Sequence, residues 1–565
     1  MRILFLTHAF NSLSQRLFVA LREAGHEVSV EFDINDAAAI EAVDLYQPDL
    51  IVAPFLKRAI PAVIWRRYVC LVVHPGIRGD RGPAALDWAI LENRSAWGVT
   101  VLQANAEMDA GDIWAWREFS LREASKASLY RHEVAAAAVE AVLEAVARFQ
   151  TGGFRPQPLD YRHPDINGRC RPAVARARRA IDWQRDDSAA VIRKINSADG
   201  FPGVLDNLCG RELYLYDARP ETALQGEPGA LIARCGTAVC RSTRDGAVWI
   251  GHLRDRHGAH PFKLPAVDVL GSAAESLPVS SGYRDIRYER RGAVGYLHFD
   301  FYNGAMGTGQ CRRLLAAYRA ACKQDTRVIV LAGGRDFWSN GMHLNLIEAA
   351  GSAADESWRN INAIDDLAEA IIATDSQLVV AALQGNAGAG GVFLARAADY
   401  VWARDGVILN PHYKDMGNLY GSEYWTYLLP RYAGADNAGC ISAARLPMGV
   451  REARGLGLVD DILPENSGSF ADALRDQADG LARSNDYRTV LTAKAARRRR
   501  DEAQRPLADY RHRELEKMRL NFYGFDPSYH VARYNFVYKV PKSRTPLTIA
   551  VHRSLPARAD RGTAT

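Results

Sequence analysis

The stretch Cys70-Leu71-Val72-Val73-His74-Pro75-Gly76-Ile77-Arg78-Gly79-Asp80-Arg81-Gly82-Pro83 passes from a short apolar run into a loop dense in glycine and proline. A run of that length bounded by turn residues reads as a buried strand, and it leaves a histidine at the strand's carboxyl end. Open parallel sheets bind their ligands beyond those ends. An imidazole changes charge near neutrality, so a histidine held there can take up and return a proton. Working outward, Arg2–Thr7, Glu27–Phe32, 49–53, 69–74 and 98–103 predict strands, and 14–24 predicts a helix ended by Gly25. Strands alternating with helices predict a parallel α/β sheet. Downstream, Met108-Asp109-Ala110-Gly111-Asp112 sets a carboxylate in a glycine-bearing turn, where it could orient and charge-stabilise the histidine. A single histidine and a single aspartate are more often structural. The order strand, His-Pro-Gly, helix, strand, Asp-x-Gly is far more specific.

The chain has 565 residues, more than one hydrophobic core sustains, so two or three domains are expected. With 48% hydrophobic and 24% charged residues, its composition is globular, not disordered or fibrous. The net charge of +5 is small and spread along the chain, so no nucleic-acid partner is expected. Apolar runs break well before about 18 residues, so no membrane span is expected. The first residues lack the apolar stretch and cleavage site of a signal peptide. The eight cysteines lie far apart, and Cys235 and Cys240 lack metal-ligand spacing. A cytoplasmic protein with reduced thiols and no metal site is the expectation.

Polar, arginine-rich sequence over 161–179 suggests a domain boundary. After it, a helix at 188–195 precedes short alternating runs such as 212–216 and 247–251, which predict a small OB-like β-barrel. The first part resembles the folate-dependent formyltransferases through His74, Arg81-Gly82, Gly98-Val99-Thr100 and Asp109-Ala110-Gly111. Ile181-Asp182-Trp183 and Phe201-Pro202-Gly203 resemble the opening of the small domain in their tRNA-formylating branch. This resemblance covers roughly 1–265. It implies that His74 and Asp109 assist proton movements at the formyl carbon of N10-formyltetrahydrofolate, with Arg81 and Gly82 among the folate contacts. One departure is Val72, which stands where that family has an asparagine. A comparable oxyanion donor contributes about 3–4 kcal/mol. Asn11, Ser12 and Gln15 are candidate replacements or folate contacts, and equally a helix cap or surface polar groups.

A second constellation begins at Arg327-Val-Ile-Val-Leu-Ala332, a buried strand running into the glycine turn Gly333 to Gly341. About forty residues later, 378–384 is another strand, entering Gly385-Asn386-Ala387-Gly388-Ala389-Gly390-Gly391. Backbone N–H groups in two such turns can form an oxyanion hole for a thioester carbonyl, although glycines also permit tight turns with no ligand. In this order the pair resembles the crotonase, or enoyl-CoA hydratase/isomerase, superfamily, through Phe337 to Leu344, Gly385 to Gly391, Ala398-Asp399 and Gly455 to Asp460. The resemblance covers about 286–465 and implies oxyanion amides at Met342 and Gly390, with Gly341 and Gly391 beside coenzyme A. Both hydratase glutamates are missing: Phe393 and His412 stand at their places. Tyr420, Ser422 and Glu423 lie where crotonases put further active-site groups, and such a polar-aromatic segment also suits core packing. The tail beyond is helical and charged; Arg497 to Arg500 read as a solvated helix face or a phosphate contact.

Three parts are therefore expected: a formyltransferase-like α/β domain at 1–165, a small β-barrel at 178–268 and a crotonase-like α/β domain with a helical tail at 284–565, with 272–282 as a linker. The two motifs joined in one chain resemble a family that matures nickel–iron hydrogenases. That resemblance implies conversion of the formyl group of N10-formyltetrahydrofolate into the carbon monoxide ligand of the hydrogenase iron. Formyl transfer to coenzyme A and decarbonylation of formyl-CoA make a coherent route, with hydrogenase maturation proteins as partners. Two alternatives stay open: a crotonase half acting on another acyl-CoA, and a non-catalytic maturation scaffold.

Overall fold

Six amino-terminal strands form one sheet: β1 (Arg2–Thr7), β2 (Glu27–Phe32), β3 (Leu50–Ala53), β4 (Cys70–His74), β5 (Ala96–Gln103) and β6 (Ile113–Ser120), in the order β2-β1-β3-β4-β5-β6. The computed structural model describes residues 1–554, and its chain divides into two units. The first holds Met1–Ile232, Arg241–Gly251 and 541–554; the second holds Ala233–Cys240 and His252–Val540.

In the first unit β1 to β4 are mutually parallel. Leu4, Leu6, Ile51 and Ala53 pack with Ala39, Ala42 and Val43 of the helix Asp36–Tyr46, which is why these strands read as nearly unbroken apolar runs. The helix Ser12–Glu23 is capped by Asn11, whose side chain accepts the Ser14 N–H at 3.0 Å. Gly25, at φ 84, lets the chain leave that helix. The expected parallel sheet is corrected at its far side, where β5 runs antiparallel to β4 and β6 antiparallel to β5. Only residues 104–112 join β5 to β6, too few for the crossover that a parallel partner requires. Residues 541–554 cover the edge of β2: the Val30 N–H donates to Ile549 O at 2.9 Å, and the Phe32 N–H to Thr545 Oγ1 at 2.8 Å. A covered edge cannot recruit a foreign strand.

The small sheet contains β7 (Val204–Leu208), β8 (Arg211–Glu221), β9 (Leu231–Cys235), β10 (Ala238–Ser242), β11 (Ala247–Asp255) and β12 (Leu264–Pro265). Its order is β7-β8-β11-β10-β9, with β12 beside β11. The expected OB-like barrel is not closed: no ladder joins β7 to β9 among the described residues. Within the second unit the outer edge of β9 is already taken at Arg234, which donates its N–H to Pro278 O at 2.8 Å and accepts the Ser280 N–H at 2.9 Å. The expected irregular linker likewise opens with a helical turn, Ser272–Glu275.

The second unit is built on β13 (Ile286–Arg291), β14 (Val294–Phe299), β15 (Val328–Ala332), β16 (Phe337–Ser339), β17 (Leu378–Leu383), β18 (Asn386–Gly388), β19 (Tyr400–Arg404), β20 (Ile408–Asn410), β21 (Met448–Gly449) and β22 (Asp461–Leu463). Its large sheet runs β13-β14-β15-β17-β19-β22, parallel except for the β13–β14 hairpin, and a smaller one runs β16-β18-β20-β21. Successive strand residues face opposite sides. Ile329, Leu331, Val379 and Ala381 therefore pack with the helices Thr308–Cys322 and Ala353–Ala373, while Val330 and Val380 pack with the helix Ser467–Arg483. No helix among the described residues is long and apolar enough to cross a membrane.

Candidate active sites

β4 delivers His74 to the end of the first sheet, with 4% of its surface exposed. Its Nε2 lies 3.0 Å from Asp80 Oδ1, and its Nδ1 lies 3.7 Å from Asp109 Oδ1. Asp109 sits in its turn at φ 56, its other oxygen accepting the Gly82 N–H at 3.2 Å. Asp109 thus stands beside His74 just outside hydrogen-bond range, and Asp80 makes the direct contact. Asp80 is buried and paired with Arg171 at 2.7 Å. Sequence reasoning missed both. Asp80 lay inside the quoted motif, but no local signal marks a loop carboxylate as buried, and its guanidinium comes from 91 positions further on.

The remaining folate candidates fall near β1 and the Asp109 turn. Asn11 caps its helix, Ser12 is that helix's first residue, and the Gln15 side chain donates to Phe10 O at 3.0 Å. Burial pushes the Tyr130 phenol well above its usual range, against a hydrogen bond with Asn11. Tyr130 opens a single π-helical stretch, Tyr130–Val134, a feature frequent at functional sites. Arg81 pairs with Glu107 and donates to Met108 O at 3.2 Å, which ties the Arg81-Gly82 loop to the Asp109 turn. Val72 packs with Leu4, Ile51 and Cys70, an apolar setting with no donor of its own.

In the second unit β16 and β18 pair, with Phe337 opposite Asn386 and Ser339 opposite Ala387, and so bring the two glycine turns together. A methyl group built on Gly341 would lie 3.6 Å from the Gly390 nitrogen, and one on Gly391 would meet Ser339 O at 2.2 Å. Met342 is partly buried against the core. Gly390 begins the helix Gly390–Arg396, after Ala389 at φ 48 and ψ −129, a conformation normally left to glycine. N–H groups at a helix start lack intrahelical partners, as an oxyanion hole requires.

Glu423 lies over this point: a methyl group on Gly390 would meet its Oε1 at 2.1 Å. Glu423 is 1% exposed, and burial, followed by the nearby Asp365 carboxyl, pushes it up to about 8. The Tyr413 hydroxyl donates to Glu423 Oε2 at 2.6 Å, while Asp365 accepts the Glu423 N–H at 2.9 Å and the Ser422 hydroxyl at 2.8 Å. Burial also raises Asp365 to about 6 and Glu514 to about 8. A carboxyl raised to about 8, as at Glu423 and Glu514, is suited to donate a proton near neutral pH, whereas Asp365 acts here as an acceptor. Tyr420 is 38% exposed, its ring centroid 5.4 Å from that of Trp425. Tyr413, which sequence reasoning passed over, is the tyrosine bonded to Glu423. Phe393 is fully buried and stacks on Tyr413 at 5.3 Å, and burial lowers the pKa of His412.

Raised carboxyls bind protons more tightly in the folded chain, so folding loses stability as pH rises from the unfolded value near 4.5 through about 8. The melting temperature is expected to fall between pH 5 and 9, and to fall less steeply in Glu423→Gln. Equal slopes for the two proteins would contradict the protonated carboxyl.

Among the described residues no group of three or more His, Cys, Asp or Glu side chains could hold a metal ion. Family models match in three places: formyl transferase at 19–146, its C-terminal domain at 174–260, and enoyl-CoA hydratase/isomerase at 306–521. Fold and family matches together define a formyltransferase-like part joined to a crotonase-like unit. The hydrogenase maturation factor HoxX of Bradyrhizobium diazoefficiens is 60% identical over 98% of this chain and 97% of its own. HypX from Aquifex aeolicus, solved in complex with tetrahydrofolic acid, is 48% identical over 98% of this chain and 99% of its own, with a TM-score of 0.95. A methionyl-tRNA formyltransferase of Ralstonia nicotianae matches at 27% identity over 44% of this chain and 74% of its own. The chain belongs to the HypX/HoxX family of hydrogenase maturation factors.

Proposed function

We propose that this protein makes carbon monoxide from N10-formyltetrahydrofolate for the iron of nickel–iron hydrogenase, by formyl transfer to coenzyme A and decarbonylation of the formyl thioester. The single observation that carries the second step is Glu423, a buried carboxyl set against the Gly390 turn, whose pKa burial and the Asp365 carboxyl push up. On the folate side, His74 and Asp109 handle the protons, while Asn11, Ser12, Gln15, Arg81 and Gly82 hold the substrate. Support comes from the tetrahydrofolic acid bound to the Aquifex relative. On the thioester side, the Met342 and Gly390 N–H groups donate to the carbonyl oxygen, with Gly341 and Gly391 leaving room for it. Glu423 gives its proton to sulfur as the carbon–sulfur bond breaks, and it takes back the formyl hydrogen as a proton. Carbon monoxide and the free thiol result, with no water and no oxidant consumed. Tyr413 steadies the Glu423 carboxyl by its 2.6 Å hydrogen bond.

Mixing the protein with formyltetrahydrofolate and coenzyme A should yield carbon monoxide, trapped on reduced haem protein. Tetrahydrofolate release without carbon monoxide would point to another acyl product, and no turnover at all to a scaffold. The same preparation should not hydrate crotonyl-CoA at any pH near neutrality. Phe393 cannot exchange a proton, and hydration needs two groups that can. Hydration at rates of about 1–10³ per second, ordinary for enzymes, would place an enoyl-CoA substrate first.

A further inference from the structure

The loop that follows β4 is fastened by the segment 161–172 of the same unit. Gly168 donates its N–H to Arg78 O at 2.9 Å, Arg171 to Arg81 O at 2.9 Å, and the Tyr161 hydroxyl to Gly79 O at 3.0 Å. The approach is close: a methyl group on Gly168 would meet the Asp80 nitrogen at 1.9 Å, and one on Gly82 the Arg171 carbonyl oxygen at 2.1 Å. Such a backbone clamp needs no buried ion pair, yet Asp80 and Arg171 are only 2% and 8% exposed. Burying a pair like this costs desolvation that its attraction barely recovers. Another use for it is visible in Asp80's second oxygen. Oδ2 takes the Arg171 guanidinium, and Oδ1 faces His74 Nε2 at 3.0 Å. Gly76 makes the space, since a methyl group there would lie 2.5 Å from Nε2 and 2.8 Å from Oδ1.

We propose that Asp80, held by Arg171, is a positioning residue that sets the tautomer of His74 for formyl transfer. This rests on reading His74 as the general acid–base group. A carboxylate paired with a guanidinium only accepts hydrogen bonds, so Nε2 carries the hydrogen and Nδ1 keeps its lone pair. Nδ1 takes the proton of the attacking thiol as the sulfur–carbon bond to the formyl group forms. It returns that proton to N10 as the carbon–N10 bond breaks. Meanwhile the imidazolium lies between Asp80 on one side and Asp109 on the other. The charges around this arrangement are Arg171 and Glu92, joined at 3.1 Å behind Asp80, and the Arg81–Glu107 pair beside the Asp109 turn. The Arg171 guanidinium also stacks 5.3 Å from the Trp97 ring centre, which leaves it little freedom to swing away.

Asp80→Asn in the full chain keeps the shape but offers an N–H group to Nε2, which moves the imidazole hydrogen to Nδ1. The expected result is a kcat for tetrahydrofolate release lowered about 10²–10⁴-fold, the contribution of a positioned acid–base group and at most the roughly 10⁴-fold loss that an equivalent change brings to a serine-protease histidine, with KM for formyltetrahydrofolate little changed. The ¹⁵N signals of His74 should switch from the Nε2–H to the Nδ1–H pattern, which a purely structural role would not cause. If the lone arginine unfolds the variant, Asp80→Asn with Arg171→Met removes the uncompensated charge and the same readings apply. Full kcat per folded molecule with an unchanged tautomer overturns the proposal. His74→Ala, measured alongside, separates the two readings: if it too is fully active, the general acid–base reading fails; if it alone is impaired, only the role of Asp80 does.

Discussion

His74→Ala is expected to release tetrahydrofolate from N10-formyltetrahydrofolate about 10²–10⁴-fold more slowly than the native protein, the usual contribution of a positioned acid–base group. His74 ends a strand that is fixed on both sides: β4 pairs with β3 over Cys70–Val72 and with β5 through His74 opposite Thr100. The Thr100 hydroxyl, which donates to Gly76 O at 2.8 Å, holds the following loop where it is. On the proposed mechanism, removing the imidazole deletes the proton carrier, while the strand pairing of β4 and the Asp80–Arg171 pair stay in place. Val72 sharpens the expectation, because the oxyanion donor of the related formyltransferases is absent and cannot sustain a large residual rate. Absorbance at the folate bands follows the release directly. An unchanged rate in folded His74→Ala would remove the histidine from the mechanism.

The strands that were legible in the sequence are those buried on both faces. β1 and β2 fall at the residues predicted, and β3, β4 and β5 within two of theirs, because an unbroken apolar run has one low-energy use in such a sheet. Helix ends were legible through their caps, Asn11 and Gly25. The direction of β5 was not, since residues 75–95 between it and β4 are enough for either sense; β6 then returns antiparallel across the short turn at Asp109. The open small sheet was not either, because β9 is edged by residues more than forty positions away in the chain. The sites divide in the same way. His74 and Asp109 stood out as candidates through the order of their motif, and Gly390 and Glu423 through the crotonase resemblance. Their partners did not: Asp365 reaches the Glu423 N–H across 58 positions, and Arg171 reaches Asp80 across 91. Glu423 could be numbered from the crotonase resemblance, but its raised pKa comes from burial and then the Asp365 carboxyl, which only the folded chain assembles.

Gly390→Val is expected to lower carbon monoxide output by at least about 10²-fold, the usual cost of one lost oxyanion donor, and to abolish the coenzyme A binding proposed for this unit. The first carbon of any side chain at 390 would already lie 2.1 Å from Glu423 Oε1. Glu423 has nowhere to retreat: its carboxyl is held by Tyr413, its N–H by Asp365, and its backbone by a left-handed φ of 60. Gly391 cannot yield in its place, since Ser339 O would stand 2.2 Å from a methyl group there. The valine must fill the space above the Gly390 amide, which is the space a thioester carbonyl needs. A variant that misfolds would be uninformative, so Gly390→Val is paired with Glu423→Ala, which empties the volume the valine takes. That double variant should fold, as judged by its melting temperature, and on the proposed route still make no carbon monoxide, since Glu423 is the proton donor of that route. A folded Gly390→Val protein that keeps its coenzyme A and full carbon monoxide output would show that the thioester carbonyl is held elsewhere.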